Sequence, residues 1–374
     1  MNTLAAMQAK PKAIFPAVER LPTPTLLVDR DRCARNIAAM QSACDAHGVE
    51  LWPHIKTHKM IEVAMMQLAA GAKGLVCAKI SEATAILPSG VRRLFLAHSL
   101  VDPRQAPRLK ILSEALDELI LACTSEAQAG ALVGVLDAAD LKLPVMIGID
   151  TGAGREGVRD EEAAIRLAAF IATQPRMELK GLYTHEGHVN SAPRGETDPV
   201  IQSAHDKILS MRDRIDPSLV VWPGSSVSAM RMAELPGIDA IRPGTYVFGD
   251  LSLSIRHPAM DWDSQALTVL ATVVDLPEPG LALLDAGSKT LSGDKTADGI
   301  SASFFDRRDI HVTKCSEEHG WTTGKQVGRL EIGERVRLVP AHVCTCVNMH
   351  DEVTVISGEK VVDTWKVAAR GKVQ

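Results

Sequence analysis

The chain is poor in aromatic residues and carries no large excess of charge of either sign. Only 3% of its 374 residues are aromatic, so its core must be packed mainly with aliphatic side chains. The formal net charge is -5, with mixed signs and no Lys/Arg stripe interleaved with aromatic residues. A nucleic-acid-binding surface normally has such a basic stripe. We therefore expect a small-molecule partner and no nucleic acid.

Long apolar runs and a paired-cysteine framework are also missing. No window reaches the roughly 18 uninterrupted apolar residues that a membrane helix needs. The first 20 residues lack the apolar run and the small-residue cleavage site of a secretory signal. The seven cysteines are scattered and odd in number, which is typical of a reducing compartment. These absences predict a cytoplasmic protein with no membrane association.

Between residues 49 and 250, short β-rich runs alternate with helical stretches, a pattern typical of a parallel sheet built from βα units. Eight such runs predict a (β/α)8 barrel of the TIM type over residues 30–255, with catalytic groups at the carboxyl ends of its strands. The predicted barrel strands are Val49–Lys56, Gly74–Ile80, Arg93–His98, Glu118–Thr124, Pro144–Asp150, Leu179–His185, Leu219–Gly224 and Ala240–Phe248.

After about residue 260 the pattern changes to strands separated by Gly, Pro and Asp turns. We expect residues 256–374, together with residues 20–29, to form a smaller β-rich domain. Its predicted strands are Ala266–Asp275, Leu281–Asp285, Val336–Val339 and Glu352–Val355.

Two lysines and two histidines end the first barrel strand, in the segment Pro53–Lys59. A lysine at the end of a buried strand can be desolvated and its pKa lowered, which suits it to form a Schiff base with a carbonyl cofactor. Lys56 and Lys59 are the candidates. On its own, such a segment is more often a solvated basic loop.

Glycine-rich turns follow other barrel strands. The turn after Asp150 frees the backbone to approach an anion or a ring, and its Arg155 offers a fixed fork of donors. The segments 223–226 and 242–246 place backbone N–H groups and hydroxyls where barrels commonly hold a phosphate. A lysine facing a phosphate site across the barrel mouth is the geometry that pyridoxal 5′-phosphate requires.

A third group of residues, His342-Val343-Cys344, follows a strand of the second domain. In an extended segment, the side chains of residues i and i+2 point the same way. His342 and Cys344 would then bind one divalent cation, zinc by preference. Cys346 and His350 are less favoured ligands. The alternative is a buried cysteine-rich strand with a hydrogen-bonded histidine.

Acid–base candidates come from two segments. Tyr183-Thr184-His185-Glu186-Gly187-His188 places two histidines at a strand end, and either His185 or His188 is a candidate base. The segment 316–320 adds Glu317 as a further catalytic candidate, although adjacent carboxylates such as Glu317 and Glu318 are usually only solvated.

Together these segments resemble the fold-type III pyridoxal-phosphate enzymes. Within them they look like the D-threonine aldolase and D-serine dehydratase group related to alanine racemase. The resemblance spans about Pro22 to Gly371. It rests on Thr23-Pro24, Pro53-His54-Ile55-Lys56-Thr57-His58-Lys59, Asp150-Thr151-Gly152 with Arg155, Asp285-Ala286-Gly287, Glu318-His319-Gly320 and His342-Val343-Cys344.

The resemblance implies a role for each matched residue. Lys56, rather than Lys59, would anchor the cofactor, and His342 and Cys344 would bind zinc or, alternatively, manganese or magnesium. The remaining cofactor contacts would come from Arg155, Tyr183, Gly224, Ser225, Gly244, Thr245 and Tyr246. Such enzymes commonly pair as head-to-tail dimers, so a homodimer is expected.

The implied reaction is cleavage of a β-hydroxy-D-amino acid. A D-threonine aldolase-like retro-aldol reaction to glycine and an aldehyde is favoured, in part because the segments 186–189 and 347–351 are similar to the aldolase branch. Dehydration of D-serine or 3-hydroxy-D-aspartate is the alternative, because dehydratases have cysteine at the position of Cys344 where aldolases tend to have aspartate. Trp52 replaces the arginine that is usual before the P-H-x-K motif.

Two other functions are disfavoured. Racemisation needs a second base, generally a tyrosine from the C-terminal domain, whereas both tyrosines of this chain, Tyr183 and Tyr246, lie in the predicted barrel. A non-catalytic carrier of the cofactor is usually a lone barrel, which the second domain argues against.

Overall fold

The computed structural model describes residues 14–193, 195–256 and 260–374. Its α-helices are α1 (Pro16–Glu19), α2 (Arg30–His47), α3 (Ile61–Ala70), α4 (Ile80–Ile86), α5 (Ala106–Glu114), α6 (Glu126–Ala139), α7 (Glu161–Ala172), α8 (Thr197–Ile215), α9 (Ala229–Glu234), α10 (Ser288–Leu291) and α11 (Val343–Asn348). None of the helices in these ranges is long and apolar enough to cross a membrane.

The first nine strands are β1 (Thr25–Asp29), β2 (Glu50–Leu51), β3 (Leu75–Cys77), β4 (Arg93–Leu96), β5 (Glu118–Cys123), β6 (Leu143–Ile149), β7 (Met177–Thr184), β8 (Val220–Trp222) and β9 (Ala240–Ile241). The remaining strands are β10 (Leu267–Glu278), β11 (Leu281–Leu284), β12 (Ala302–Phe304), β13 (Ile310–Cys315), β14 (Gly320–Gly324), β15 (Arg335–Pro340), β16 (Glu352–Ser357) and β17 (Lys360–Lys366).

Helices of the barrel begin and end where the sequence supplies caps. The Asp29 side chain accepts the N–H of Arg32 at the start of α2, and Gly48 ends that helix in the left-handed conformation. The Ser125 and Asp160 side chains cap α6 and α7 in the same way. These caps determine where α2, α6 and α7 begin, and so limit how far the strands before them extend.

Strands β2–β9 form the barrel. Strands β3–β8 make one parallel sheet in chain order, and β2 pairs with β9. Two seams close the ring: the N–H of Ile55 donates to the carbonyl of Val76, and the N–H of Arg242 donates to the carbonyl of Pro223. The predicted (β/α)8 barrel is thus confirmed. Six of its eight strands are shorter than expected because their ends continue as loops, whereas β6 and β7 are not.

The barrel interior holds four of the thirteen aromatic side chains, Trp52, Phe95, Tyr183 and Trp222. Trp52 is fully buried with its ring centroid 4.5 Å from that of Trp222, and Phe95 packs edge-on against both Trp222 and Tyr183. A Cβ atom on Gly74 would lie 2.4 Å from the Trp52 ring. Trp52 therefore fills the barrel interior, and its ring leaves no space for a side chain at position 74.

The C-terminal part of the chain is β-rich, as predicted. Strands β10, β11, β14, β13, β12 and β15 close into an antiparallel ring, because β10 pairs with both β11 and β15. Strand β1 extends this sheet between β10 and β16, and β17 follows β16. The N-terminal strand thus belongs to the β-rich sheet, while the exact domain boundary stays a prediction.

Candidate active site

A cavity of about 440 Å³ opens where the carboxyl ends of the barrel strands face the second domain. One wall comes from barrel loops and the other from the start of α11. The residues that line it are His54, Lys56, Lys59, His185, Asn190, Gly224, Ser225, Ser226, Val227, Arg242, Gly244, Thr245, Asp250, Ser252, Leu253, His342, Cys344, Thr345, Asn348 and Val373.

Lys56 lies on the barrel wall, just beyond the bridge between His54 and Val76. Burial lowers the pKa of its ammonium group, and the guanidinium groups of Arg155 and Arg242 act in the same direction. A lowered pKa provides the neutral amine that a carbonyl cofactor needs. The charge on Cys344 opposes this shift without reversing it. The position of Lys56 and the direction of its pKa shift fit the anchoring role expected for it.

Lys59 also reaches the cavity lining, but its ammonium group is engaged elsewhere. Its Nζ lies 3.4 Å from Oε1 of the buried Glu82 and donates to the carbonyl of Ala369 at 3.3 Å. A lysine whose ammonium group is held by a buried carboxylate and a backbone carbonyl is not positioned to attack a carbonyl cofactor. This contact supports Lys56 over Lys59.

Two glycine loops approach each other beside Lys56. The hydroxyl oxygen of Ser226 accepts the backbone N–H groups of Gly244 (3.1 Å) and Tyr246 (3.2 Å), so it ties the loops after β8 and β9 together. A Cβ atom on Gly244 would lie 2.7 Å from Oγ1 of Thr57. Only glycine permits this close approach, which leaves room for an anion on the cavity side.

We call the loops after β8 and β9, around Gly224 and Gly244, the glycine cradle. A buried cation lies under it. The Arg242 side chain is 5% exposed, and its guanidinium donates to the carbonyls of Thr184 and Trp222. Burial lowers the pKa of Arg242 to about 10, so it remains charged near neutral pH. These hydrogen bonds go to neutral carbonyls, and Glu186 favours the charged form of the guanidinium. Such a buried cation fits a phosphate nearby.

His185 and Glu186 hold Gly224 from both sides. Nδ1 of His185 donates to the Gly224 carbonyl, while the Gly224 N–H donates to Oε2 of Glu186 at 3.1 Å. Oε1 of the fully buried Glu186 accepts the hydroxyl of Ser228 at 2.5 Å. The sequence pair at the end of β7 therefore fixes the loop that begins the phosphate cradle.

The same contact defines the state of His185. Burial and the charge on Lys56 lower its pKa to about 3, so the ring is neutral and carries its proton on Nδ1. Its Nε2 is then left with a free lone pair. The low pKa makes His185 a weak base, which argues for a positioning role.

His342 and Cys344 meet on the opposite wall. The Cys344 thiolate, opposed by burial and helped by Asp250, raises the pKa of His342 to about 11. His342 in turn lowers the pKa of Cys344 against the opposing effect of burial. Both side chains would be deprotonated as metal ligands, and the lowered pKa of Cys344 favours the thiolate form that a metal needs.

The route by which the two side chains meet differs from the prediction. His342 is the residue before α11, and Cys344 lies in the first turn of that helix, so the alternation of an extended segment is the wrong reason for their proximity. The helix turns Cys346 and His350 away, and both contact the carbonyl of Thr290. Neither lines the cavity.

Of the four candidate metal ligands in the second domain, His342 and Cys344 line the cavity, and Cys346 and His350 do not. Among the described residues, no group of three or more His, Cys, Asp and Glu side chains is arranged to hold a metal ion. Oδ2 of Asp250 lies 3.4 Å from Nδ1 of His342 and accepts the N–H of Val343 at 3.2 Å, so it orients the histidine. A metal on His342 and Cys344 would keep open positions for water or substrate.

The other predicted residues fall into three groups. Gly224, Ser225, Gly244 and Thr245 line the cavity, whereas Arg155 and Tyr183 line a small adjoining cavity that shares His185. The Tyr183 hydroxyl is buried and has no hydrogen-bond partner among the described residues. An unpaired buried hydroxyl next to the main cavity fits a ring-bearing cofactor.

The remaining predicted residues lie outside the cavity. The Tyr246 hydroxyl accepts a hydrogen bond from Gln67 in the core, so only its backbone N–H faces the cradle. His188 packs over the turn after β6, with Nε2 2.8 Å from where a Gly152 Cβ atom would be. Glu317 is exposed on the turn between β13 and β14. The catalytic roles predicted for His188 and Glu317 have no support from the cavity of a single chain.

Four residues that sequence reasoning missed take part in the site. Alternation along the strand end places His54 on the same side as Lys56, and Arg242 and Glu186 lie inside motifs that were singled out for their neighbours. Asp250 had no signal, because it is 92 residues from His342 along the chain. Its burial beneath α11 appears only in the fold.

Known proteins share both the architecture and the sequence pattern. Residues 28–252 match the family "Alanine racemase, N-terminal domain", and residues 266–356 match "Putative serine dehydratase domain". The chain is 30% identical over 366 residues to 3-hydroxy-D-aspartate aldolase from Paracoccus denitrificans (strain Pd 1222), which covers 94% of this chain and 92% of the relative.

Solved structures agree. The structure of D-threonine aldolase from Filomicrobium marinum superposes with a TM-score of 0.86 at 27% identity, covering 98% of this chain and 100% of that chain. A Cys-to-Ala variant of D-threo-3-hydroxyaspartate dehydratase in the metal-free form superposes with a TM-score of 0.84 at 28% identity, covering 93% and 98%. Both kinds of lyase are therefore similar to this chain over nearly its whole length.

Proposed function

Because the chain belongs to the alanine racemase N-terminal domain family, we propose that it is a lyase that uses pyridoxal 5′-phosphate and a divalent metal to cleave β-hydroxy-D-amino acids. The favoured reaction is a retro-aldol cleavage to glycine and an aldehyde. The single observation that carries this proposal is one cavity that brings together Lys56, the glycine cradle over Arg242, and the His342–Cys344 pair.

The barrel wall would hold the cofactor. Lys56 would form the covalent link, and Gly224, Ser225, Gly244 and Thr245 would surround the phosphate above Arg242. Pyridoxal 5′-phosphate supplies an electron sink for charge that develops at the substrate Cα. The protein's part is to hold the amine of Lys56 neutral, to fix the cradle through Glu186 and Ser226, and to orient the substrate.

The opposite wall would hold the substrate's β-hydroxyl. A divalent ion on His342 and Cys344 supplies Lewis acidity toward that oxygen. Asp250 keeps the His342 ring in place. The hydroxyl would then be held at one end of the cavity, while the substrate amine would be held at the other end, beside Lys56. Fixing both ends selects which bond at Cα is aligned for cleavage.

Dehydration is the second candidate, and Cys344 favours it. Its thiolate ligates zinc well, and the relative D-threo-3-hydroxyaspartate dehydratase gives the reaction class. In that reaction Lys56 would remove the α-proton and the β-hydroxyl would leave. Both reactions need the same substrate class.

We also propose that the protein works as a cytoplasmic homodimer, with zinc as the preferred ion. All seven cysteines lie in the described ranges and none forms a disulfide, which supports a reducing environment. The dimer follows from the resemblance and is tested directly by the mass of the holoenzyme in light scattering.

Product analysis separates the two reactions. The purified protein, loaded with cofactor and metal, is incubated separately with D-threonine, D-serine and 3-hydroxy-D-aspartate. Glycine plus an aldehyde identifies the aldolase, and a 2-oxo acid plus ammonia identifies the dehydratase. The L-enantiomers serve as controls, and absence of both product pairs with every D-substrate would contradict the proposal.

A further inference from the structure

The segment after β17 runs along the rim of the catalytic cavity. It forms hydrogen bonds to Lys59 of the barrel and to Asn348 of α11, both of which line the cavity. The N–H of Ala369 donates to the carbonyl of Lys59 at 3.0 Å, and Nζ of Lys59 donates to the carbonyl of Ala369. The N–H of Gly371 donates to the side chain of Asn348, at the end of α11, at 3.4 Å.

Ser81 holds the end of this segment. Its N–H and hydroxyl both donate to the carbonyl of Gln374, at 2.9 Å and 2.6 Å, and its hydroxyl oxygen accepts the N–H of Gln374 at 3.1 Å. One serine at the start of α4 therefore makes three hydrogen bonds to a single residue. Val373, next to Gln374, is fixed by this contact.

The segment separates the catalytic cavity from two neighbouring cavities. Val373 lines the catalytic cavity. Val373 and Gln374 also border a second cavity of about 440 Å³ beside α5, and Gln374 borders a third of about 160 Å³ near His98. Val373 is 60% exposed, so it lies at the open edge of the catalytic cavity. The width of that opening depends on where this segment lies.

Val373 is one of only a few apolar residues in a mostly polar lining. It shares the rim with Thr345 and Asn348, which belong to the same helix, α11, as Cys344. A β-hydroxyl bound at His342 and Cys344 would bring the neighbouring β-substituent close to Thr345, and Val373 lines the same part of the cavity. An apolar side chain there contacts a hydrocarbon substituent and limits its size.

We propose that Val373, held in place by Ser81, is a specificity-determining residue that restricts the cavity to amino acids with a small β-substituent. This inference rests on the proposed function, since it assigns the part of the substrate that function leaves open. Hydrophobic pockets discriminate by size with factors of about tenfold or more per group.

The experiment measures binding and turnover in the holoenzyme. The variants are Val373→Ala, Val373→Trp and Ser81→Ala, and the matched control is Val362→Ala, an exposed valine on β17. Binding of D-alanine and D-phenylalanine is followed by the visible absorbance of the bound cofactor. Turnover is compared for D-threonine and D-phenylserine.

We expect Val373→Ala and Ser81→Ala to raise the phenyl-to-methyl ratio in both affinity and kcat/KM by about tenfold, and Val373→Trp to lower it by a similar factor. The control should leave both ratios unchanged. Ratios within twofold of the parent in all three folded variants would overturn the inference. A shifted binding ratio without lyase products would instead overturn the proposed function and leave the inference standing.

Discussion

The two walls of the catalytic cavity are built in different ways. The barrel wall is held by hydrogen bonds to the backbone: Ser226 and Glu186 bind N–H groups of Gly244 and Gly224, and His185 binds a carbonyl. The opposite wall is held by charge, because His342 and Cys344 face each other with Asp250 behind them.

This difference matches two tasks. A cofactor that stays through many turnovers is best held by groups that hydrogen bonds fix in place, so that they do not reorganise. The opposite wall would bind a metal ion and the substrate hydroxyl, and both need charged side chains as partners. Substitutions on the barrel wall should therefore affect cofactor retention, and substitutions on the opposite wall should affect chemistry at constant cofactor content.

Replacing the anchoring lysine should give the largest effect. Lys56→Ala removes the amine that we propose links to the cofactor, so kcat/KM should fall by roughly 10³-fold or more. The visible absorbance of the bound cofactor should disappear as well. Lys59→Ala is the matched variant; a greater loss of that absorbance in Lys59→Ala than in Lys56→Ala would reverse the choice of lysine.

Replacing the proposed metal ligand should separate the two walls. Cys344→Ala should lower kcat by about 100-fold through loss of Lewis acidity, while the cofactor content measured by absorbance stays at the parent level. Bound metal is measured by atomic emission. The buried Cys346→Ala is the control, and retention of both metal and full turnover by Cys344→Ala would revive a function that needs no metal.

Weakening the clamp on the cradle should affect binding only. Glu186→Gln keeps the side-chain shape but loses an acceptor for Gly224 or Ser228, so the Kd for pyridoxal 5′-phosphate should rise about tenfold. Pyridoxal without phosphate should bind almost as before, because the cradle is what changes. The exposed Glu178→Gln on the same strand is the control; equal weakening of both ligands would indicate general damage to the fold.

Mild acid should lower the free energy of unfolding, because a buried histidine must stay neutral in the folded protein. Burial lowers the pKa of His58 to about 3, against about 6.5 when unfolded. Between these values the unfolded chain binds the extra proton. The free energy of unfolding should therefore fall as pH drops from 6.5, by up to about 1.4 kcal/mol per pH unit from this residue.

Urea unfolding of the holoenzyme between pH 7 and pH 5 measures this slope. His58→Phe should reduce this slope by up to about 1.4 kcal/mol per pH unit without abolishing it, because the buried His54 and His185 act in the same direction. The exposed His47→Asn should leave the slope unchanged. An unchanged slope in His58→Phe would show that His58 is not the group responsible.

Much of this architecture was readable in the chain. Helix α7 has a local signal, because Asp160 caps it and its apolar residues recur at helical spacing. The motif around Lys56 was readable from its residue types, although β2 ends at Leu51 and Lys56 lies in the turn that follows. The conformation of His342–Cys344 was not, since a histidine, a valine and a cysteine fit a strand as well as a helix start, and packing against Asp250 decided it.

The sequence by itself determined the alternation of strands and helices, and with it the barrel, the lysine and the glycine loops. Periodicity and turn chemistry are local properties, so they survive in one dimension. Only the tertiary structure decided which distant residues share the cavity. Asp250 behind His342, Glu186 under Gly224 and Val373 at the rim are joined by burial and hydrogen bonds between segments far apart along the chain.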